Sequence, residues 1–253
     1  MSKPLTLQTR DLPSGPFKLL DIGQGPTMVF VHGYPGRPQD FRRMLSFFAD
    51  ARCVLPAMPG LDLTPLQTRP QLGLAERAGF ITDVIETLDL REITIVGHSM
   101  GGALSMIVAN QLPERVQRLA LLASATLQVY RGWRQASLAF RAPLLQRPPI
   151  LRAAFRAAGF PRGISIDAMR HVMRCAEAMD FAVIQDAADA LKIPTLIAAA
   201  DDDNLIETER VDELAARCPA GPRLRFEAGG HALVKTQARP IADAIRSWMG
   251  LDE

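Results

Sequence analysis

The chain is expected to form an α/β domain: a mostly parallel sheet with helices on both faces, interrupted by an inserted helical segment. Three observations predict it. Short apolar runs alternate with stretches of helical periodicity, and repeated βα units of this kind build a mostly parallel sheet. The runs are continuous, as in Met28-Val29-Phe30-Val31, which suits strands covered on both faces. From about residue 126 to residue 190 the alternation stops, leaving Ala/Leu/Arg-rich stretches cut by Pro143, Pro148, Pro149 and Pro161. That pattern reads as short helices forming a cap over the strand ends, so the expected organisation is a core of residues 1–125 and 191–253 with a cap of residues 126–190.

The elements follow in order. Residues 17–22 and 27–32 read as strands joined by the turn Gly23-Gln24-Gly25-Pro26. Residues 39–49 have helical spacing, with Phe41, Met44, Leu45 and Phe48 on one face. A short strand at 53–57 precedes a helix at 74–88. The run Ile93-Thr94-Ile95-Val96 is a strand, and a helix is expected over 102–111, ended by Pro113. Strands follow at 119–123 and 193–200, a helix near 207–217, a last strand at 224–226 and a terminal helix at 240–249. In such sheets, sites form at the carboxyl ends of the strands.

Composition bounds the function without naming it. The 253 residues are 48% hydrophobic and 22% charged, ordinary for a globular protein. The net charge of +2 is too small to argue for nucleic acid or a membrane as partner, so a small-molecule substrate is expected. Cys53, Cys175 and Cys218 are scattered and odd in number, which suggests neither a disulfide framework nor a metal cluster and points to a reducing cytoplasm. Residues 1–10 lack the apolar core of a signal peptide, and no apolar run approaches the ~18 residues of a membrane span.

The segment Gly97-His98-Ser99-Met100-Gly101 carries the chemistry. A strand, G-x-S-x-G and a helix in that order form a nucleophile elbow, a turn tight enough to strain the serine backbone and to exclude Cβ atoms beside it. The Ser99 hydroxyl is held clear of the sheet, and the Met100 N–H faces the place where an oxyanion would form. A serine nucleophile needs a base and a group to orient that base. Of the four histidines, His98 adjoins Ser99 and is expected to point away from it; His32 ends a strand in a turn; His171 lies on a helix of the cap. His231, in Gly229-Gly230-His231 after the last strand, is the natural base. Its acid partner comes from Asp201-Asp202-Asp203, at the end of another strand. Asp203 is favoured, with Asp202 and Asp201 as alternatives; the two not used are turn-formers or helix caps. A second oxyanion donor fits the Tyr34 amide in His32-Gly33-Tyr34.

With these residues in place, the chain resembles the α/β-hydrolase superfamily over essentially its whole length. The matching motifs are His32-Gly33-Tyr34-Pro35-Gly36, Gly97-His98-Ser99-Met100-Gly101-Gly102, Pro113-Glu114-Arg115-Val116, the aspartates at 201–203 and Gly230-His231. The order Ser99, Asp203, His231 is the superfamily's triad order. The resemblance implies an eight-stranded sheet, a cap after the sixth strand and hydrolysis without a cofactor or metal. Ser99 sets the chain apart from relatives with Asp at that position, and the elbow is similar to that of small esterases, lactonases, thioesterases and cofactor-free haloperoxidases. Pro59-Gly60-Leu61-Asp62-Leu63-Thr64-Pro65 departs from the Gly-rich, Ser-ending motif of many relatives, which leaves one pocket wall undefined.

The expected activity is therefore cleavage of a carboxylic ester, lactone or thioester through an acyl-enzyme on Ser99. The alternative is the same fold serving as a lyase, a perhydrolase or haloperoxidase-like enzyme, or a ligand-binding protein. In the cap, Arg131, Arg134, Arg141, Arg147, Arg152, Arg156 and Arg162 occur between residues 126 and 165 with no Asp, Glu or Lys. They read either as solvated faces or, for Arg131 and Arg134, as partners for an anionic group on the substrate. Trp133, Tyr130, Phe140 and Phe155 are expected to pack the cap onto the core.

Overall fold

The computed structural model describes residues 5–13, 15–58, 73–157 and 163–251. Its strands are β1 (Gln8–Leu12), β2 (Gly15–Ile22), β3 (Thr27–Val31), β4 (Arg52–Pro56), β5 (Ile93–His98), β6 (Val116–Leu122), β7 (Thr195–Ala200) and β8 (Arg223–Phe226). They form one eight-stranded sheet in the order β1-β2-β4-β3-β5-β6-β7-β8. The β1–β2 and β2–β4 pairs are antiparallel, and β4, β3, β5, β6, β7 and β8 run parallel.

The helices are α1 (Arg42–Leu45), α2 (Leu74–Thr87), α3 (Met100–Gln111), α4 (Arg131–Arg141), α5 (Pro148–Ala157), α6 (Ile166–Glu177), α7 (Phe181–Asp189), α8 (Thr208–Arg217), α9 (Leu233–Thr236) and α10 (Ala238–Met249). Strand alternation sends successive side chains to opposite faces. Val29 and Val31 of β3, Ile95 of β5 and Leu119 and Leu121 of β6 pack with Ile81 and Ile85 of α2 and Leu104 of α3. Met28 and Phe30 of β3, Val96 of β5 and Ala120 and Leu122 of β6 pack with Phe41, Met44 and, from α10, Ile241 and Ile245. Burial on both faces explains why these strands read as unbroken apolar runs.

Several elements differ from the sequence expectation. β1 is missed by pattern reading because four of its five residues are exposed; its register on β2, Gln8 opposite Leu19 to Leu12 opposite Gly15, comes from backbone pairing and not from an apolar face. The helix expected over 39–49 is a 3₁₀ turn, Pro38–Phe41, followed by the single turn of α1. Beyond it, Phe47 N–H bonds to Met44 O and Phe48 N–H to Leu45 O. These are i→i−3 turns, which still turn Phe41, Met44 and Phe48 into the core. The helices at 102–111 and 240–249 begin earlier than expected, at Met100 and Ala238.

Between β6 and β7, the described residues form α4 to α7 and no strand. Leu151, Phe155, Met169 and Met173 of α5 and α6 make a small cluster of their own, against which Tyr34 packs. α7 belongs with the main core: Ile184, Ala187 and Ala188 are buried beside α3, and Asn110 Nδ2 donates to Ala187 O at 2.7 Å. The Pro59–Pro65 departure and Arg162 lie outside the described residues. Among the described residues, no helix is long and apolar enough to cross a membrane.

Candidate active site

Ser99 sits between β5 and α3 with φ 55° and ψ −124°, a conformation that costs a non-glycine residue about 1–3 kcal/mol. The turn is held by its neighbours. Ser99 N–H donates to Leu122 O at 3.0 Å, and Ser99 O accepts from Gly102 N–H at 2.9 Å and from Ala125 N–H at 3.0 Å. Gly101 is needed for close approach: a Cβ there would lie 2.1 Å from Val31 O and 2.7 Å from His32 O. Gly101→Ala is therefore expected to lower the unfolding free energy by about 3 kcal/mol, measured by urea denaturation, because both obstructing atoms are backbone.

Three side chains from three strand ends converge. His231, in the loop after β8, places Nε2 2.9 Å from Ser99 Oγ and Nδ1 2.9 Å from Asp203 Oδ2. Asp203, in the loop after β7, is 7% exposed. Burial by itself pushes its carboxyl up, but the hydrogen bond and charge of His231 and the backbone N–H groups of Leu205 and Ile206 together hold it below the usual carboxylate range. The other oxygen, Oδ1, accepts from Leu205 N–H at 2.8 Å and Ile206 N–H at 3.1 Å, so Asp203 is fixed before His231 is added.

The other two aspartates have separate work. Asp202 Oδ1 accepts from Gly230 N–H at 2.7 Å, holding the loop that carries His231. Asp201 pairs with Arg225 at 2.6 Å, and Arg225 also pairs with Asp212.

The His32-Gly33-Tyr34 loop lies directly against the elbow. A Cβ on Gly33 would be 2.8 Å from Ser99 Cβ. His32 is buried; its Nε2 accepts from Met58 N–H at 3.0 Å and its Nδ1 lies 2.9 Å from Gly33 O. The backbone donor fixes the tautomer, with Nδ1–H donating to Gly33 O. Met100 is the first residue of α3, where a helix N–H has no acceptor within the helix and the macrodipole favours negative charge. The Tyr34 hydroxyl is buried; burial, and after it the adjoining Cys175, raises the phenol above its ordinary range. Near it, Arg77 reaches Cys175 Sγ at 3.5 Å and His171 Nε2 lies 3.7 Å from the same sulfur.

His98 has a contact that sequence reasoning missed. Its Nε2–H donates to the His231 carbonyl at 2.8 Å, and the two rings lie 5.2 Å apart. Burial, with the neighbouring His231, pushes His98 down to about 4, so it is neutral near pH 7 with the Nε2 proton in place. Adjacency to Ser99 hides this: the partner is 133 positions away.

Arg131 and Arg134 both lie at the start of α4 and are exposed. Glu207 pairs with the Arg134 guanidinium and accepts from the backbone N–H of Arg131 at 2.8 Å, so the Arg134 side chain is engaged, whereas Arg131 meets Glu207 through its main chain. Tyr130 and Trp133 pack against Phe181 of α7, with ring centroids 5.9 and 5.4 Å apart.

A sequence model of the family described as alpha/beta hydrolase fold matches residues 26–147. An uncharacterized protein of Mycobacterium tuberculosis is 30% identical over 161 residues, 62% of this chain and 47% of that protein, so the chain spans about half the length of this relative. Among solved structures, an alpha/beta hydrolase fold protein from Burkholderia ambifaria superposes with a TM-score of 0.78 at 17% identity, covering 98% of this chain and 99% of the other. An esterase from Exiguobacterium antarcticum gives 0.76 at 18% identity, covering 97% and 100%. At these identities the structural likenesses show the fold.

Proposed function

We propose that the chain, whose residues 26–147 match the alpha/beta hydrolase fold model and whose fold is shared with an alpha/beta hydrolase fold protein, is a cofactor-independent serine hydrolase cleaving a small-molecule carboxylic ester, lactone or thioester. The observation that carries the reading is the unbroken line from Ser99 Oγ through His231 to Asp203, with both hydrogen bonds at 2.9 Å. That spacing is within reach for proton transfer without rearrangement. In this reading, His231 Nε2 takes the Ser99 proton as Oγ bonds to the carbonyl carbon. The carbonyl oxygen becomes an oxyanion held by the Tyr34 and Met100 N–H groups. His231 then gives its proton to the leaving oxygen or sulfur, whose bond to carbon breaks, and Ser99 carries the acyl group. Water, deprotonated by His231, attacks the acyl carbon, and Ser99 leaves with the proton restored. Asp203 orients the imidazole and stabilises its charged form. Residues 126–190 supply the cap, with α5 and α6 as the part that has a core cluster of its own.

His98 acts in this scheme as a positioning residue, holding the His231 carbonyl while Asp202 holds the Gly230 N–H. His98→Ala should lower kcat about 10- to 100-fold with KM little changed, since misplacing a reacting group by about 1 Å costs on that order. His98→Asn, which keeps a side-chain N–H donor, should recover part of the loss. A fall in KM and kcat that tracks the loss of folded protein, with no recovery in His98→Asn, would reduce His98 to a packing role.

The test of the activity is initial rate on p-nitrophenyl esters from acetate to palmitate, with Ser99→Ala as control. A chain-length optimum that disappears in the variant supports the proposal and sizes the acyl site. Rates equal to the control on every ester, lactone and thioester tried would contradict it.

A further inference from the structure

The segment after β6 carries charge that the proposed chemistry does not use. Residues 126–166 contain seven arginines and no Asp, Glu or Lys, in a chain of net charge +2, so the rest of the chain is net acidic. The expectation of no membrane partner rests on the total charge, which conceals this distribution. Six of the seven arginines lie in described residues, and all six are exposed. Arg134 pairs with Glu207; among the described residues, Arg131, Arg141, Arg147, Arg152 and Arg156 have no carboxylate within 4.0 Å of their guanidinium groups.

Apolar side chains stand in the same place. Leu138 is 66% exposed and Leu144 56%, the two exposed large hydrophobic residues among those described. At 3.6 residues per turn, Arg131, Arg134, Leu138 and Arg141 fall within roughly 80° of arc on α4, and Leu144 lies in the turn that follows. Well away from this stripe on α4, Trp133 packs against Phe181. The exposed stripe is therefore the outward face of a packed helix. It is also coupled to the candidate site: Gly132 N–H donates to Leu205 O at 2.7 Å, and Leu205 N–H donates to Asp203 Oδ1 at 2.8 Å.

We propose that the outer face of α4 and the turn after it form a peripheral binding surface for an anionic phospholipid bilayer. Guanidinium groups match phosphate oxygens with paired hydrogen bonds, and leucines set among them fit the boundary between headgroups and acyl chains. A nucleic-acid backbone would use the arginines and leave both leucines in water. The surface stands independently of the hydrolytic reading. The substrate class it implies, an amphiphilic ester resident in a membrane, rests on that reading.

Co-sedimentation of the full chain with vesicles tests the surface without reference to activity. Vesicles of phosphatidylcholine mixed with phosphatidylglycerol should bind the protein at least about tenfold more tightly than phosphatidylcholine alone, and added salt should weaken the difference. Each arginine near an anionic surface contributes roughly fivefold, so the double variant Arg141→Gln, Arg147→Gln should lose roughly 25-fold. Leu138→Ser with Leu144→Ser should also weaken binding. Both variants should keep the wild-type melting temperature, and hydrolysis of soluble p-nitrophenyl butyrate serves as a separate readout of the site. Equal binding to the two kinds of vesicle, or wild-type binding by the arginine variant, would overturn the proposal. So would binding to duplex DNA as tight as to the anionic vesicles with no effect of the leucine changes, which would assign the face to nucleic acid.

Discussion

Replacing Ser99 by alanine is expected to lower kcat on a p-nitrophenyl ester by about 10⁴-fold or more, with little change in melting temperature. Ser99 Oγ is the hydroxyl that faces His231 Nε2, and without it no acyl-enzyme forms. What remains is the contribution of substrate binding and the oxyanion donors. The structural effect is small for a specific reason. The strained φ of 55° is held by the Ser99 N–H donating to Leu122 O and by the Ser99 carbonyl accepting from the Gly102 and Ala125 N–H groups, all of which alanine retains. Only the hydrogen bond to His231 is lost, worth about 1 kcal/mol. Turnover near wild type in a folded Ser99→Ala protein would remove the serine from the mechanism.

Asp203→Ala is expected to lower kcat by about 10⁴-fold, and here stability falls as well. Asp203 accepts from Leu205 and Ile206 N–H groups in addition to facing His231. Each buried N–H left without an acceptor costs about 1–3 kcal/mol. Asp203→Asn separates the two effects. Its amide oxygen can still accept from the backbone, whereas its NH₂ group presents a donor to His231 Nδ1 and favours the wrong tautomer. Stability should therefore recover in the asparagine variant while activity does not. Asp201→Asn and Asp202→Asn serve as comparisons. Asp201 is committed to Arg225 and Asp202 to Gly230 N–H, so both should stay within about tenfold of wild type. A larger loss in either than in Asp203→Asn would transfer the orienting role.

What was legible in the sequence followed from local rules. Continuous apolar runs marked strands buried on both faces, and the glycines beside Ser99 marked a turn with no room for a Cβ. The order of Ser99, Asp203 and His231 along the chain put each at the end of a parallel strand. What was not legible depended on distant partners. β1 is polar and exposed and exists through pairing with β2. The three adjacent aspartates differ only in which way the turn after β7 aims them, a matter set by the backbone. Arg134 looked free because Glu207, which it meets, lies 73 positions on. His98 looked idle because its acceptor is a main-chain carbonyl, and no side-chain pattern announces it. The charge of the segment after β6 was visible as composition, but its arrangement as a stripe around Leu138 appears only once α4 has a buried and an outer face.

The most direct test of the central claim is intact-protein mass spectrometry after exposure to diethyl p-nitrophenyl phosphate, followed by peptide mapping. The reagent loses p-nitrophenolate as it phosphorylates an activated serine. The expected result is a single added diethylphosphoryl group on Ser99 in the wild type, with labelling slowed by orders of magnitude in His231→Ala. No label on Ser99, or equal labelling with and without His231, would contradict the assignment of Ser99 as a nucleophile activated by His231.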